Sequence, residues 1–419
     1  MGLAPPRGTA DLLPPASEAM RRLYEEAHAL AELYGYRYVE TPAFESTEIF
    51  SRTTGETSDV VRKEMYTFED KGGRSLSLRP EGTPSVVRAV LASGSRIALP
   101  FKGYYVGPMW RYGRPQKGRQ REFRQFGVEV LGTELPSADV ETIVLGAEYM
   151  RRAGLRDYRL EVNSLGDASC RPAYREVLLA YLETNRGRLR DEHKDHYVDN
   201  PLRVLDCRDE ACRDVAREAP RIRDHLCDAC REHFEGVLRE LDETGLAWKR
   251  VDTLVRGLDY YVRTAYEYVS PVLPEGQASL GGGGRYDGLA ELLGLPATPG
   301  VGFALGLDRI LLAVKEEGED AAGTVRGVFV VTMGAEARRS GGELVRELRA
   351  AGVPAQTGFG ERSLKGQLRT AERAGARFVA ILGEREVADD TVTLRRLADG
   401  VEEIVPRAVV ASRMGEPDA

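Results

Sequence analysis

A single stretch of the chain, residues 101–132, constrains the fold more than any other. It reads FKGYYVGPMWRYGRPQKGRQREFRQFGVEVLG, with apolar and polar residues alternating at both ends and glycine and proline between Gly113 and Gly118. Alternation at period two is typical of β-strands, so the pattern predicts a β-hairpin with a long loop. The fold must therefore accommodate two long antiparallel strands here.

The middle of this hairpin is strongly basic. Between residues 111 and 124 the chain carries one acid, Glu122, and six basic residues: Arg111, Arg114, Lys117, Arg119, Arg121 and Arg124. Forked guanidinium groups match phosphate oxygens, so this density favours a polyanionic ligand. A basic hairpin seen alone is more often a solvated sheet edge protected by charge, and the rest of the chain has to decide between the two.

Length and composition limit the class of protein. The 419 residues are 42% hydrophobic and 30% charged, enough for two or three domain-sized cores. A net charge of −7 argues against nucleic-acid binding over the whole surface and leaves room for local basic patches. The N-terminus lacks a signal-peptide layout and no run is long enough to span a membrane, so we expect a cytoplasmic protein with neither membrane nor DNA as a partner.

Changes of pattern along the chain predict four segments. Residues 1–166 and 247–323 mix strand and helix patterns, whereas residues 167–246 between them are charged, helical and hold all five cysteines. From residue 324 to 419 strands and helices alternate, which predicts a separate α/β domain. Four consecutive glycines from Gly281 are read as a turn leading into a helix.

The cysteines of the helical segment permit a zinc site. A spacing of C-x4-C-x14-C-x2-C would allow four thiolates to bind one ion: Cys207, Cys212, Cys227 and Cys230. Cysteines of a cytosolic protein are more often small buried apolar residues, and this alternative stays open. Cys170 stands apart and is interpreted as structural, and His225 and His233 as solvated.

Six sequence blocks together resemble the class II aminoacyl-tRNA synthetases, and within that class the bacterial histidyl-tRNA synthetases. Three correspond to the general class motifs: the N-terminal helix and strand ending at Pro42, MWRYGRPQKGRQREFRQFGVE, and GVGFALGLDRI. The others are LRPEGT, LVRGLDYYVRTAYE and GGGGRYDGL, of which the last two resemble histidine-specific motifs. The blocks follow the family order and cover nearly the whole chain.

This resemblance implies both a fold and a reaction. The fold would be an α+β catalytic core, an antiparallel sheet flanked by helices, with a helical insertion and a C-terminal α/β anticodon-binding domain. A homodimer would activate L-histidine with ATP and Mg²⁺, without an organic cofactor, and then transfer histidine from histidyl-adenylate to the 3′ end of tRNA-His.

The resemblance also assigns roles in ATP binding. Attack of a carboxylate on the α-phosphorus is catalysed by positioning and by neutralising charge, which arginines can supply. Arg111 would contact the α-phosphate, and Arg119 and Arg309 would hold the rest of the triphosphate. Phe123 would stack on adenine, while Arg256 would bridge the α-phosphate and the carboxylate of the amino acid.

The implied histidine site pairs each polar group of the substrate with a side chain. Glu81 and Thr83 would accept from the ammonium group, and Glu129 and Tyr261 would bind the two imidazole nitrogens, which offer one donor and one acceptor when neutral. The complete implied histidine site is Glu81, Thr83, Arg111, Gln125, Glu129, Arg256, Tyr260, Tyr261 and Tyr286. Of these, Arg256, Arg111 and Glu81 would be the catalytic residues, and Arg285 is expected to line the same region.

Two classes of protein compete with this interpretation. A synthetase-like regulatory subunit would bind histidine without charging tRNA, and it would be expected to lack the C-terminal domain and the site arginines. A pure RNA-binding protein on the same scaffold would not need Glu81, Glu129 and Arg256 together. A dinucleotide site is disfavoured because the glycines at 300–306 follow LPATP rather than a strand.

Overall fold

The computed structural model describes residues 3–53, 64–207, 209–318, 327–360 and 362–414. The chain divides into two compact units, residues 1–321 and 322–419. The predicted boundary between residues 323 and 324 lies outside the described residues.

Two sheets organise the larger unit. Its strands are β1 (Arg37–Tyr38), β2 (Phe44–Ser46), β3 (Thr67–Glu69), β4 (Ser75–Leu78), β5 (Phe101–Trp110), β6 (Glu122–Leu131), β7 (Arg159–Ser164), β8 (Trp248–Arg250), β9 (Val262–Val269), β10 (Ser279–Arg285) and β11 (Gly300–Gly306). The large sheet has the order β1-β5-β6-β11-β10-β9-β7-β8, and β2-β4-β3 form a small one. The six inner strands of the large sheet are antiparallel, and β1 and β8 run parallel to their neighbours at the edges. The predicted antiparallel sheet is confirmed, with parallel edges added.

The basic hairpin is confirmed. Strands β5 and β6 pair antiparallel over their whole length, from Phe101 opposite Leu131 to Trp110 opposite Glu122. Residues 111–121 form the loop between them, closed by a bridge between Gln116 and Arg119. The alternation that predicts the hairpin also sets which side chains face which layer.

The helices of the larger unit either cover the two faces of the large sheet or build the segment between residues 167 and 246. They are α1 (Ala16–Leu33), α2 (Thr47–Thr53), α3 (Thr83–Ala92), α4 (Pro136–Arg152), α5 (Arg171–Thr184), α6 (Asp191–His196), α7 (Leu202–Leu205), α8 (Glu210–Glu218), α9 (Asp228–Glu243), α10 (Leu289–Leu292) and α11 (Leu307–Glu316). On one face, apolar residues of α1, α4, α9 and α11 pack with Phe126, Val128 and Phe303. On the other, α3 and α10 pack with Met109 and Leu131 and cover only part of the sheet. The uncovered part of that second face is where the candidate site lies.

The glycine run is a strand, not the predicted turn. Residues 281–284 lie inside β10, in the middle of the sheet, and the helix expected from Tyr286 covers only Leu289–Leu292. A Cβ on Gly282 would lie 2.8 Å from a guanidinium nitrogen of Arg256, and one on Gly284 would lie 3.0 Å from the Tyr261 ring. Glycines in a strand often mark such close approach of other groups. Because these glycines have no side chains, β10 presents a flat surface to the site.

The segment from 167 to 246 folds as predicted into helices. Its described residues between 171 and 243 form α5 to α9 and short 3-10 turns around an apolar core of their own, which includes Leu178, Leu182 and Val215. Helix α9 also packs along α4, so this layer is continuous with the sheet.

The smaller unit is a five-stranded sheet with helices. Its elements are β12 (Val328–Thr332), α12 (Ala335–Ala350), β13 (Ala355–Thr357), α13 (Leu364–Arg373), β14 (Phe378–Leu382), α14 (Glu384–Ala388), β15 (Thr391–Arg396), β16 (Glu402–Pro406) and α15 (Val410–Met414). The order β13-β12-β14-β15-β16 confirms the predicted alternation and the final hairpin. In the part of the chain that the structure describes, no helix combines the length and the apolar character needed to cross a membrane.

Candidate active site

Strand alternation brings the predicted residues to one face. On β6, Phe126 and Val128 point into the helix-covered core, so Phe123, Gln125 and Glu129 belong to the opposite face. Glu81 and Thr83 reach it from the start of α3, and the tyrosines from the segments next to β9 and β10. These are the elements that the sequence predicts would supply the histidine site.

Glu81 is a buried acid with one oxygen left for a ligand. Its side chain is buried, and Oε2 accepts a hydrogen bond from the Tyr260 hydroxyl at 2.6 Å. Its other oxygen, Oε1, is buried and has no hydrogen-bond partner among the residues that the structure describes. Burial raises the pKa of Glu81, and the Tyr260 hydroxyl and the guanidiniums of Arg111 and Arg256 offset part of that rise. A cationic ligand would satisfy Oε1 and favour the charged form of the acid.

Glu129 forms the second acidic centre. It is fully buried, accepts a hydrogen bond from Thr83 Oγ1 at 2.6 Å, and accepts another from the Tyr286 hydroxyl. Burial, helped by the charge of Glu81, raises the pKa of Glu129 from its ordinary value of 4.5 to about 8, although both hydroxyls lower it. An acid this deep in a sheet is tuned for a specific partner.

Further buried polar atoms in this region have no hydrogen-bond partner among the described residues, and two of them bear on ligand binding. Arg256 is largely buried, with one terminal nitrogen 3.1 Å from Glu267 Oε1 and with its Nε unbonded. Gln125, on β6 opposite Gly306, has an unbonded amide oxygen. Buried polar groups without partners are rare in folded proteins, and here they are a cationic donor and a neutral acceptor. Together with Glu81 Oε1 they fit a zwitterionic ligand.

The tyrosines form an aromatic wall. The rings of Tyr260 and Tyr261 lie 4.7 Å apart between centroids, and Tyr286 lies edge-on to Tyr260 at 6.0 Å. The Arg256 guanidinium lies 5.4 Å from the centre of the Tyr261 ring. All three rings are buried, so they exclude water from the acids beside them.

Tyr105 belongs to this site and was missed by the sequence analysis. Its ring fills the space that side chains on Gly82 and Gly127 would need, since a Cβ there would lie 2.3 and 2.2 Å from ring atoms. The charges of Glu129 and Glu81 both raise the pKa of Tyr105, after burial itself. The available signal in the sequence was a glycine close to each of two predicted site acids, Gly82 next to Glu81 and Gly127 two residues before Glu129. Only the folded structure shows that both glycines pack against Tyr105.

Arg111 and Phe123 are adjacent at the open end of the face. The Arg111 guanidinium lies 5.4 Å from the centre of the Phe123 ring, and its Nε donates to the Pro80 carbonyl at 2.9 Å. This bond fixes Arg111 next to Glu81, which follows Pro80 in the chain. The pair offers a cation and an apolar ring side by side.

Arg119 lies in the hairpin loop, and Arg309 of α11 contacts that loop. Arg119 is half-exposed and forms an ion pair with Glu64 at 2.7 Å. Arg309 donates to the carbonyls of Gly118 and Ser279, at 3.1 and 2.7 Å. The loop thereby connects to the start of α11, where the predicted triphosphate contacts lie.

Arg285 does not line the site, contrary to the prediction. It is fully buried on the opposite side of β10, where it pairs with buried Asp139 of α4 and, at 3.1 Å, with Asp287. His233 lies 3.3 Å from Asp139 as well, so it is not the solvated histidine that was expected. Successive residues of a strand point to opposite faces, which separates Arg285 from Tyr286.

Replacing Arg285 with methionine is expected to lower the free energy of unfolding by about 3–5 kcal/mol, because buried Asp139 would lose its guanidinium partner and keep only the contact with His233. Chemical denaturation measures this loss. The double variant Arg285→Met, Asp139→Asn removes the unpaired charge and should recover part of it. A single-variant loss below about 1 kcal/mol would contradict the structural role.

The four predicted cysteine ligands do not form one cluster. Cys227 and Cys230 group with Asp167 and Cys170, whereas Cys207 and Cys212 group with His193. The prediction paired cysteines by spacing along the chain, but the loop before α5 brings Cys170 to the start of α9. Cys170 is therefore not the isolated residue that the sequence indicated.

Comparisons with known proteins agree with this geometry. A family model described as histidyl-tRNA synthetase matches residues 8–310, and one described as anticodon binding domain matches residues 327–416. The chain is 47% identical over 408 residues to the histidine–tRNA ligase of Moorella thermoacetica, covering 97% of this chain and 96% of that protein. It is 46% identical over 416 residues to that of Desulforudis audaxviator, with 99% of each covered. Its fold is similar to the apo crystal structure of Staphylococcus aureus histidyl-tRNA synthetase, with a TM-score of 0.79, 35% identity, and coverage of 99% of this chain and 100% of the other.

Proposed function

Because the chain belongs to the histidyl-tRNA synthetase family and is a histidine–tRNA ligase, we propose that it activates histidine on the face bounded by Glu81, Glu129 and Arg256. The observation that carries the proposal is the set of buried, unbonded atoms, Glu81 Oε1 and Arg256 Nε, next to an acid whose pKa is raised to about 8. An amino acid with a polar side chain supplies complementary groups to all three.

Histidine would bind with its charged end between Glu81 and Arg256. Its ammonium group donates to Glu81 Oε1, with the Thr83 hydroxyl as a second acceptor, and the Gln125 amide oxygen faces the same end. The imidazole lies toward Glu129, and Tyr261 contacts its other nitrogen. A smaller side chain would leave the buried acid unpaired, which is how such sites reject competitors.

Adenylate formation follows from the placement of the arginines. The histidine carboxylate attacks the α-phosphorus of ATP in line, the bond from that phosphorus to the oxygen bridging the α- and β-phosphates breaks, and pyrophosphate leaves. Arg111 and Arg256 neutralise the α-phosphate oxygens from two sides, and Phe123 stacks on adenine. Arg119 and Arg309 would hold the β- and γ-phosphates.

ATP would enter with Mg²⁺ on its phosphates. Magnesium in such sites is usually held by substrate phosphates with one or two carboxylates rather than by a protein cage. In the described residues, both groups of three or more metal-binding side chains lie among the insertion helices, away from the ATP-binding residues. The ion would therefore be part of the nucleotide substrate, and the protein would contribute the arginines.

The smaller unit would carry the second substrate. The anticodon-domain match over residues 327–416 supports binding of tRNA-His at the C-terminal unit, with the tRNA 3′ end meeting the adenylate at the hairpin. Both matches together favour the ligase over a regulatory subunit, which would not need a tRNA-binding domain. We also propose that the enzyme acts in the cytoplasm as a homodimer, and sedimentation at working concentration tests the dimer.

ATP–pyrophosphate exchange with each of the twenty amino acids, with Mg²⁺ and without tRNA, tests the proposal. Exchange is expected with histidine only, because Glu129 needs an imidazole partner. Exchange with a different amino acid would refute the imidazole assignment. A folded protein that binds histidine without exchange would instead be a regulatory subunit.

A further inference from the structure

We propose that Asp167, Cys170, Cys227 and Cys230 form a structural zinc site where the insertion joins the catalytic sheet. The four side chains come from two short segments, a D-x2-C turn before α5 and a C-x2-C turn at the start of α9. Their ligand atoms all lie within 4.8 Å of one another. Two turns of this kind facing each other are a common architecture for structural zinc.

The separations fit a single tetrahedral ion. The sulfur atoms of Cys170 and Cys230 are 3.9 Å apart, and Asp167 Oδ1 lies 3.6 Å from Cys170 Sγ and 3.9 Å from Cys227 Sγ. With zinc–sulfur bonds of about 2.3 Å, the edge of a tetrahedron is about 3.8 Å. A cluster of several irons would hold its cysteine sulfurs farther apart, so one ion fits this set better.

The backbone around the ligands is shaped for them. The Asp167 N–H donates to Cys170 Sγ at 3.3 Å, which fixes the position of that sulfur. Gly166 has a φ of +61°, and a Cβ there would lie 2.6 Å from Cys170 Sγ. Cys170 and Cys230 are 4% and 0% exposed, and Asp167 is oriented by the Ser169 N–H at 2.9 Å and by Arg263 at 3.7 Å. Thiolate and carboxylate together leave a tetrahedral zinc site closed to solvent ligands.

The position of the site gives the ion a structural task. Arg171, directly after Cys170, donates to the carbonyls of Leu165 and Tyr261, at 3.0 and 2.8 Å. Arg263 bonds through its backbone to Leu165 and Gly166. An ion at Asp167 would thus fix the loop that carries Tyr261 into the histidine site.

The second group, His193 with Cys207 and Cys212, provides a matched control. It has three potential ligand side chains, two of them cysteines, in the same helical segment. A serine at Cys227 and a serine at Cys207 each remove one thiol from a different group. Their metal contents can therefore be compared directly.

Zinc content and X-ray absorption of the full-length protein test the proposal independently of enzyme activity. The wild-type protein is first incubated with zinc, and the excess is removed. The ion is then expected to show three sulfur neighbours at about 2.3 Å and one oxygen at about 2.0–2.2 Å. If the second group also binds zinc, this environment will be one of two in the spectrum. Cys227→Ser should lose one equivalent of zinc per chain, whereas Cys207→Ser should retain the zinc with three sulfur neighbours.

A gain-of-ligand variant guards against misfolding of the serine variants. Asp167→Cys should keep the zinc and change its environment from three sulfurs to four. Unchanged zinc content in Cys227→Ser, no tightly bound zinc in the wild type, or an unchanged sulfur number in Asp167→Cys would each overturn the site. None of these results depends on histidine activation, so the proposed function stands or falls separately.

Discussion

Replacing Arg256 with alanine is expected to lower histidine-dependent ATP–pyrophosphate exchange by about 10³-fold, equivalent to about 4 kcal/mol of transition-state stabilisation. Arg256 is the cation that lies between Glu81 and Glu267, and its Nε is buried without a partner. Removing it takes away the group that can contact the histidine carboxylate and the α-phosphate at once. Negative charge that develops on the α-phosphate oxygens would then face Glu81 and Glu267 without the guanidinium between them.

The fold should survive this substitution. Glu267 keeps its hydrogen bond from Ser279 at 2.6 Å, and it is partly exposed, so water can replace the lost guanidinium. Far-ultraviolet circular dichroism and the unfolding midpoint check this directly. Arg256→Lys should recover only part of the rate, because an ammonium group cannot contact two oxygens with a rigid fork.

Arg88→Ala is the matched control. Arg88 lies on α3, which also carries Thr83, and it forms a half-buried ion pair with Glu45 at 3.0 Å, but it has no contact with the site residues. Its loss should change exchange by no more than a few-fold. A well-folded Arg256→Ala enzyme with near-normal exchange would remove the centre of the mechanism.

Local pattern was enough to predict most of the fold. The alternation in Phe101–Trp110 and Glu122–Leu131 determines both the hairpin and the face to which each side chain points, because strand geometry depends only on neighbouring residues. The same holds for the helical spacing of α1 and for the strand and helix alternation of the smaller unit. The site acids were found through motifs, and strand alternation explains why they share a face.

What the sequence did not predict depends on contacts between distant segments. The glycines at 281–284 form no turn; side chains there would collide with the backbones of the two neighbouring strands and, at Gly282 and Gly284, also with Arg256 and Tyr261. Tyr105 becomes a site residue through Gly82 and Gly127, which are far from it in the chain. The predicted zinc ligands were grouped by their spacing along the chain. In the folded protein Cys230 groups with Cys170 rather than with Cys207.

Replacing Glu129 with glutamine is expected to separate activity from stability. Histidine-dependent exchange should fall by about 10²-fold or more, mainly through a higher KM, because an amide cannot serve as the anionic acceptor for the imidazole. The free energy of unfolding, by contrast, should be higher in the Glu129→Gln variant than in the wild type at high pH. Burial raises the pKa of Glu129 from 4.5 to about 8, so between these values the folded chain binds one proton more than the unfolded chain.

Stability of the wild type must therefore fall as pH rises through this window, and the loss is complete above about pH 8. A glutamine has no proton to lose, so the Glu129→Gln variant should be more stable than the wild type at pH 9 and closer to it at pH 6. Urea unfolding at both pH values, with Glu141→Gln as a control acid bonded to Tyr36 outside the site, measures the difference. An equal gap between variant and wild type at pH 6 and pH 9 would mean that Glu129 is ionised in the free enzyme. The buried acid would then have been held charged by its hydroxyl partners, and the site would bind imidazole without first releasing a proton.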